Sequence, residues 1–172
     1  MSAPVAGHRV WRLPADVDTD QLAPGKAMKG GLEDIARHCL EAIRPDFAAG
    51  VRAGDVLVAG PGFGIGSSRE QAASVLVHLG VAAVIAPSFG GLYARNAFNV
   101  GLLPLTCAEA GRLRDGERIA FDPGAGTVTA QDGTVLRCEP IPPFLLEMVR
   151  AGGLFEQLKQ RLARERTTRA TR

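Results

Sequence analysis

The sequence has few cysteines, and none of them are paired at metal-binding spacing. Its three cysteines, Cys39, Cys107 and Cys138, lie far apart, and no C-x-x-C pair occurs. A metal or cluster site built wholly from this chain is therefore not expected. The odd number of cysteines, together with the lack of a recognisable signal peptide, predicts a protein of the reducing cytoplasm.

The sequence also lacks a long apolar run, a strong net charge and an internal repeat. No apolar run is long enough to cross a bilayer, so no membrane partner is predicted. The formal net charge of +2 is too small to indicate a nucleic-acid partner by itself. Basic residues cluster near the end, and we interpret residues 166–172 as a solvated, disordered tail. An RNA-binding tail is the alternative interpretation.

What the sequence does have is enough apolar material for one core. The 172 residues are 46% hydrophobic, which suits a single domain that we place over residues 1–165. Short apolar runs and helical faces alternate in the first two thirds of the chain. They predict strands over 8–13, 54–59, 81–86 and 102–106, and helices over 32–40, 68–79 and 92–100.

The pattern then changes to short strands separated by hairpin turns. These strands are predicted over 118–121, 127–130 and 134–137, and one or two closing helices begin at Pro143. Alternating strands and helices followed by hairpins predict a compact α/β domain. In such a domain we expect the loops at the strand ends to carry the functional site.

The glycine loop, residues 60–71, is the most informative segment. Alternating glycines lead into Ser67, Ser68 and Arg69, just where a helix is predicted to begin. Backbone N–H groups, hydroxyls and a cation at a helix N-terminus suit a small anion. The Walker pattern fails because Gly66, not lysine, precedes Ser67, and Ile65 interrupts the dinucleotide pattern. A helix cap without a ligand and a non-catalytic anion- or nucleotide-binding module remain as alternatives.

A second polar segment precedes the glycine loop. Asp16, Asp18 and Asp20 alternate and would share one side of an extended chain, but the glycine and glutamate of an EF-hand are absent. Lys26 and Lys29 follow in a glycine-flanked stretch, which we interpret as a mobile flap that contacts an anion.

Three blocks of this sequence together resemble the small subunit of isopropylmalate isomerase and homoaconitase, which matches the swivelling C-terminal domain of aconitase. The blocks are residues 18–24, residues 63–70, and Ser88-Phe89 followed by residues 95–102. The resemblance implies a three-layer β/β/α swivelling fold of aconitase type with closing C-terminal helices. It also implies a larger partner subunit carrying a [4Fe-4S] cluster, in a heterodimer or heterotetramer, and no cofactor in this chain.

The same resemblance implies the reaction, which is the dehydration and rehydration of a 2-hydroxy di- or tricarboxylic acid. In the family the cluster iron acts as Lewis acid on the leaving hydroxyl, and a base removes the proton α to a carboxylate. By resemblance Ser67 is that base, and Ser68 and Arg69 hold a substrate carboxylate. Asp20 matches the family acid that pairs with a catalytic group across the interface. The chain is expected to be inactive alone.

Substrate choice in the family is set in the flap. Isopropylmalate enzymes present an apolar pair there, whereas homoaconitase-type enzymes present an arginine that meets a distal carboxylate. In this chain Lys29 favours a substrate with an additional carboxylate, Met28 is suited to an apolar pocket, and Lys26 replaces a usual arginine. The family's usual Asn, Cys and His are also replaced, at Gly62, Ile65 and Gln71. Isopropylmalate, homoaconitate and another substituted malate all remain candidate substrates.

Overall fold

Seven strands form one mixed sheet in the computed structural model, which describes residues 7–170. The strands, in chain order, are β1 (His8–Arg12), β2 (Val56–Val58), β3 (Ala83–Ala86), β4 (Leu103–Thr106), β5 (Arg118–Asp122), β6 (Thr127–Thr129) and β7 (Val135–Arg137). Their spatial order is β4-β3-β2-β1-β5-β6-β7. Strands β1 to β4 pair in parallel, and β5 joins β1 antiparallel and continues into the meander β5-β6-β7.

Helices connect and cover the parallel strands. Within residues 7–170 they are α1 (Thr19–Leu22), a 3-10 helix (Gly25–Gly30), α2 (Gly31–His38), α3 (Phe47–Gly50), α4 (Gln71–His78), α5 (Gly91–Val100), a second 3-10 helix (Ala110–Arg112), α6 (Pro143–Arg150) and α7 (Leu154–Ala170). Each strand and each long helix predicted from the sequence is present, with ends displaced by up to three residues. No helix in this described part of the chain is both long and apolar enough to cross a membrane.

The parallel strands separate two apolar cores. Because successive side chains of a strand point to opposite faces, Leu57 lies in the core beneath the helices while Val56 and Val58 lie in the other core. All three side chains are fully buried, which explains why this strand is a continuous apolar run. Strand β3 is covered on both faces in the same way, with Val84 in the core beneath the helices and Ile85 in the other core.

The second core places the meander as a layer of its own. Ile119 of β5, Val128 of β6 and Leu136 of β7 pack with Val56 and Val58 on the side of the sheet away from α2, α4 and α5. Leu146 of α6 closes this core at its edge. The layers are thus meander, parallel strands and helices, which confirms the predicted β/β/α arrangement.

A buried carboxylate ties β1 to the start of β2. Asp55 is only 5% exposed, and its Oδ2 accepts hydrogen bonds from Trp11 Nε1 at 2.8 Å, Arg9 Nη2 at 2.5 Å and the Arg52 N–H at 2.9 Å. Burial raises the pKa of Asp55, but the hydrogen bonds from Arg9 and Trp11 outweigh it and hold the pKa below its ordinary value. This cluster stabilises the edge of the sheet opposite the loops described next.

The end of the chain differs from the sequence prediction. Helix α7 continues to Ala170, so residues 166–170, which were predicted to be a disordered tail, extend a helix instead. Pairs such as Arg161–Glu165 at helical spacing support this extension. The last two residues of the predicted tail, and residues 1–6 of the predicted domain, lie outside the described residues.

Candidate active site

The candidate site lies where the loops after β1, β2 and β3 meet. These strands are parallel neighbours, so the loops that follow them emerge at the same edge of the sheet. Asp18 forms a parallel bridge with Ile65, and Phe63 forms another with Phe89. The Gly64 N–H donates to Val17 O at 2.7 Å. Parts of all three sequence blocks that carry the family resemblance therefore form one hydrogen-bonded unit.

Two glycines allow the loop to fit between its neighbours. Gly64 has φ of +79°, and a Cβ placed there would lie 2.1 Å from the buried ring of Tyr93. Gly66 has φ of +107°, and a Cβ there would lie 3.0 Å from Thr19 Oγ1. Positive φ and the lack of a side chain are both required at these positions, so the glycines place Ser67 against Thr19.

Ser67 is exposed at the rim of the site, but both its backbone and its side chain contact Thr19. The Ser67 N–H donates to Thr19 Oγ1 at 3.0 Å, and the two hydroxyl oxygens lie 3.1 Å apart. Thr19 itself is buried, with 3% of its surface exposed. The hydroxyl predicted to act as a base is therefore held from beneath while one side of it faces solvent.

The helix after the glycine loop begins later than predicted. The sequence predicts a helix over 68–79, whereas α4 begins at Gln71. The Ser68 carbonyl accepts a hydrogen bond from Asn96 Nδ2 at 3.2 Å instead of a helical N–H. This bond holds Ser68 outside the helix, and Ser67 therefore lies before the first turn of α4.

Arg69 and Asp20 form an ion pair within the chain. Arg69 Nη1 donates to Asp20 Oδ1 at 2.9 Å and to Ala23 O at 2.9 Å. The Arg69 hydrogen bond, aided by the Gly25 N–H, lowers the pKa of Asp20 below its ordinary value. The sequence had matched Asp20 to an acid that pairs across an interface, and here its partner belongs to the same chain.

The three alternating acids do not share one side of an extended chain. Asp18 caps α1, accepting the Gln21 N–H at 2.8 Å while Gln21 Oε1 accepts the Asp18 N–H at 3.0 Å. Asp16 precedes it with φ of +56° and lies before the helix. The Asp-rich segment is thus a capping box that places Thr19 and Asp20, one after the other, against the glycine loop.

Comparison with known proteins identifies the family to which this chain belongs. The sequence profile of the aconitase C-terminal domain matches residues 46–110, which contain the glycine loop. The 3-isopropylmalate dehydratase small subunit 1 of Thermotoga maritima is 39% identical over 155 residues, covering 88% of this chain and 93% of the relative. This chain belongs to the 3-isopropylmalate dehydratase small-subunit family. The predicted resemblance is confirmed.

The family includes proteins with a second activity. The methanogen homoaconitase small subunit of Methanothermobacter thermautotrophicus is 42% identical over 148 residues, covering 85% of this chain and 86% of that protein. The crystal structure of 3-isopropylmalate dehydratase (LeuD) from Methanocaldococcus jannaschii superposes with a TM-score of 0.86 at 35% identity. It covers 94% of this chain and 97% of the other. Small-subunit names imply a larger partner subunit in a complex.

The segment predicted to be a mobile flap adopts a regular conformation. Its residues form the 3-10 helix Gly25–Gly30, in which Ala27 is the buried residue. Lys26 pairs with Glu41 and lowers the pKa of that carboxyl. Met28 is half-buried against the core beneath the helices, whereas Lys29 is exposed. Asp20, Lys26 and Glu41 line a cavity of about 370 Å³ beside this helix.

The cysteines do not form a site for the cluster that the family implies. A [4Fe-4S] cluster needs several thiolates around one point. Cys39 is fully buried in the core beneath the helices, whereas Cys107 lies in the core on the other face of the sheet. Within residues 7–170, no three His, Cys, Asp or Glu side chains are placed to hold a metal ion. The residues that the structure describes therefore do not fit a cluster.

Two side chains with no role predicted from the sequence support the site. Thr19 contacts Ser67, and Asn96 holds the carbonyl of Ser68. Both lie inside the blocks that carry the family resemblance. Their position in those blocks was the available signal, but only the fold shows which atoms they contact.

Proposed function

We propose that this chain is the small subunit of a heteromeric hydro-lyase of the 3-isopropylmalate dehydratase type, which isomerises a 2-hydroxy di- or tricarboxylic acid. The observation that carries the proposal is that Ser67 and Arg69 lie on one loop and are each held by a residue of α1, Thr19 and Asp20 respectively. The names of the relatives, which describe small subunits of dehydratases, support it.

In this proposal Ser67 removes the proton α to a substrate carboxylate. Ser67 reacts as the alkoxide: its Oγ takes up the α proton in a new O–H bond, the C–H electrons form the double bond of the dehydrated intermediate, and the neighbouring carbon releases hydroxide. Rehydration returns the proton from Ser67. The exposure of Ser67 fits this role, because the substrate has to reach Oγ from the side away from Thr19.

Arg69 binds a carboxylate of the substrate. Its Nη1 is directed to Asp20 and Ala23, so the Nε and Nη2 edge is the one suited to a bidentate carboxylate. In this proposal the Ser68 hydroxyl binds the same carboxylate. Asp20 acts by orienting Arg69, and its lowered pKa keeps it charged over the whole physiological range.

The partner in this proposal is a larger subunit that carries a [4Fe-4S] cluster. The cysteines of this chain do not converge on a cluster site, which supports placing the cluster ligands in that subunit. The chemistry at the leaving hydroxyl then belongs to the partner, and this chain supplies the base and the carboxylate site. A heterodimer or heterotetramer would bring the cluster of the partner and the Ser67 site of this chain together, at the edge of the sheet that carries Ser67.

The substrate is proposed to be isopropylmalate, with homoaconitate and other substituted malates as the alternatives. Met28 is partly withdrawn into the core, while Lys29 remains exposed beside the site. An exposed cation favours a substrate with a distal carboxylate, whereas the first-named relatives are isopropylmalate enzymes. Substitution of Lys29 therefore distinguishes isopropylmalate from a substrate with a distal carboxylate.

The test of the proposed function is a reconstituted complex with an iron–sulfur large subunit. We expect turnover of a substituted malate by the complex, none by this chain alone, and a loss of about 10²-fold to 10⁴-fold in kcat for Ser67→Ala. Ser74→Ala, on α4, is the matched control and should retain activity. Full activity of Ser67→Ala would show that another group is the base. Tight binding of nucleotides by the isolated chain, measured by calorimetry, would favour the anion-binding alternative.

A further inference from the structure

Thr19 is a buried polar residue at the centre of the proposed site. Its backbone N–H donates to Ile65 O at 2.9 Å, which anchors the start of α1 to the glycine loop. Its side chain contacts Ser67 twice, through the backbone N–H and through the hydroxyl oxygen. Three hydrogen bonds thus join Thr19 to a loop that lies 48 residues away in the chain.

The hydrogens in this arrangement can be assigned from chemistry. The Ser67 N–H can only donate, so Thr19 Oγ1 accepts it with one lone pair and keeps its own hydrogen for another acceptor. Ser67 Oγ, at 3.1 Å, lies within reach of that hydrogen. When Ser67 acts as a base its oxygen carries negative charge and has no hydrogen to donate. In that state Thr19 is the donor and Ser67 the acceptor.

The late start of α4 makes this contact more important. The helix begins at Gln71, so Ser67 lies outside its first turn and gains little from the helix dipole. Arg69 directs Nη1 away from Ser67, toward Asp20 and Ala23. The buried hydroxyl of Thr19 is therefore placed where a donor to a charged Ser67 oxygen is needed.

The geometry points to Thr19 as a positioning residue that orients Ser67 and donates a hydrogen bond to its oxygen during proton abstraction. This inference rests on the proposed function, because it assumes that Ser67 is the base. It adds a requirement that the base assignment alone does not make, namely a hydroxyl at position 19 in addition to one at position 67.

The experiment compares Thr19→Val and Thr19→Ser in the reconstituted complex. Valine keeps the shape of the side chain and removes the hydroxyl, whereas serine keeps the hydroxyl and removes the methyl group. We expect Thr19→Val to lower kcat by about 10²-fold with KM within about threefold, as when one donor to a charged reacting oxygen is lost. Thr19→Ser should recover most of that loss.

A deuterium isotope effect separates this role from a purely structural one. With substrate deuterated at the carbon that loses its proton, we expect the isotope effect on kcat for Thr19→Val to be at least as large as that of the unaltered complex. A distorted or poorly assembled complex would instead show a smaller effect, because a step other than proton transfer would then limit turnover. Thr129→Val, on β6, is the matched control and should match the unaltered complex in every measurement.

The outcomes distinguish this inference from the proposed function. If Ser67→Ala is inactive and Thr19→Val turns over normally, the inference is wrong while the base assignment stands. The inference is also wrong if Thr19→Ser is as impaired as Thr19→Val, or if the isotope effect shrinks. If Ser67→Ala is active, both fail together. Should Thr19→Val not assemble with its partner, Thr19→Ala is measured in its place with the same criteria.

Discussion

At the scale of single residues, the proposed site depends on hydrogen-bond donors and acceptors that are already occupied. Arg69 uses one of its terminal nitrogens to hold Asp20 and Ala23 O, which fixes the direction of the rest of the guanidinium. Lys26 is paired with Glu41. Lys29, near the end of the 3-10 helix Gly25–Gly30, is also exposed but makes no ion pair within residues 7–170.

Lys29 is therefore the residue whose substitution should change substrate preference. We expect Lys29→Val to raise kcat/KM for isopropylmalate relative to homoaconitate by about 10-fold, because a single charge contact is worth about 1–2 kcal/mol at a partly exposed site. Lys29→Arg should shift the preference toward homoaconitate. Both ratios are measured in the reconstituted complex.

The control for this prediction is Lys159→Val on α7, which lies outside the site and pairs with Glu156. It should leave the ratio of the two substrates unchanged. An unchanged ratio in both Lys29 variants would show that this helix does not contact the distal end of the substrate.

At the scale of elements, the short helix α1 organises the site. It has only four residues, so its own backbone hydrogen bonds give it little stability. The capping box of Asp18 and Gln21 and the contacts to the glycine loop hold it in place. Because Thr19 and Asp20 are the first two residues of this helix, the cap also determines where Ser67 and Arg69 lie.

The capping box predicts a linked loss of stability and activity. We expect Asp18→Ala to lower the free energy of unfolding by about 1 kcal/mol, because the Gln21 N–H loses its acceptor. Turnover of the complex should fall as well, since Thr19 is displaced. Urea unfolding and steady-state kinetics provide the two measurements.

A matched control for the cap is Asp46→Ala. Asp46 is the N-cap residue of α3, but its side chain makes no capping hydrogen bond, and it contacts Arg44 at the surface. Its substitution should therefore cost less stability and leave turnover unchanged. Equal losses in the two variants would contradict the assignment of Asp18 as the organising cap.

At the scale of the whole molecule, charged residues that take no part in the proposed site stabilise the sheet around Trp11. Arg9 and Arg44 place their guanidinium groups 4.9 and 4.7 Å from the ring centre of Trp11. Arg44 makes a bidentate contact with Asp115, and Arg9 reaches Asp55. These contacts join β1, β2 and the segment before β5 independently of the substrate site.

This cluster predicts how stability depends on pH. The pKa of Asp55 is lowered by folding, so its contribution is complete above the unfolded value of about 3.9 and is lost as pH falls through the lower folded value. We expect Asp55→Asn to reduce the free energy of unfolding by about 2–3 kcal/mol at pH 7, since the buried donors lose a charged acceptor. The difference from the unaltered chain should shrink between pH 5 and about pH 2.

Urea unfolding across this pH range measures the effect. The exposed Asp46→Asn serves as control and should change stability little at any pH. A difference between Asp55→Asn and the unaltered chain that grows toward acid would contradict the sign of the shift.

The secondary-structure elements and the sequence blocks of the site are predictable from local patterns in the sequence. Strand β2 and helix α5 are visible because their apolar patterns are local, and Gly101 ends α5 with φ of +85° as a helix-terminating glycine does. The glycine loop with Ser67 and Arg69 was recognisable for the same reason, because its residue types are adjacent in the chain. Family membership followed from the order of these blocks.

The contacts between the blocks, in contrast, depend on the folded chain. The Thr19–Ser67 contact joins residues 48 apart, and the Asp20–Arg69 pair joins residues 49 apart. No local pattern specifies such contacts, because they depend on parallel strands that bring separate loops to one edge of the sheet. The start of α4 was mispredicted for the same reason, since a side chain from α5 holds the carbonyl of Ser68.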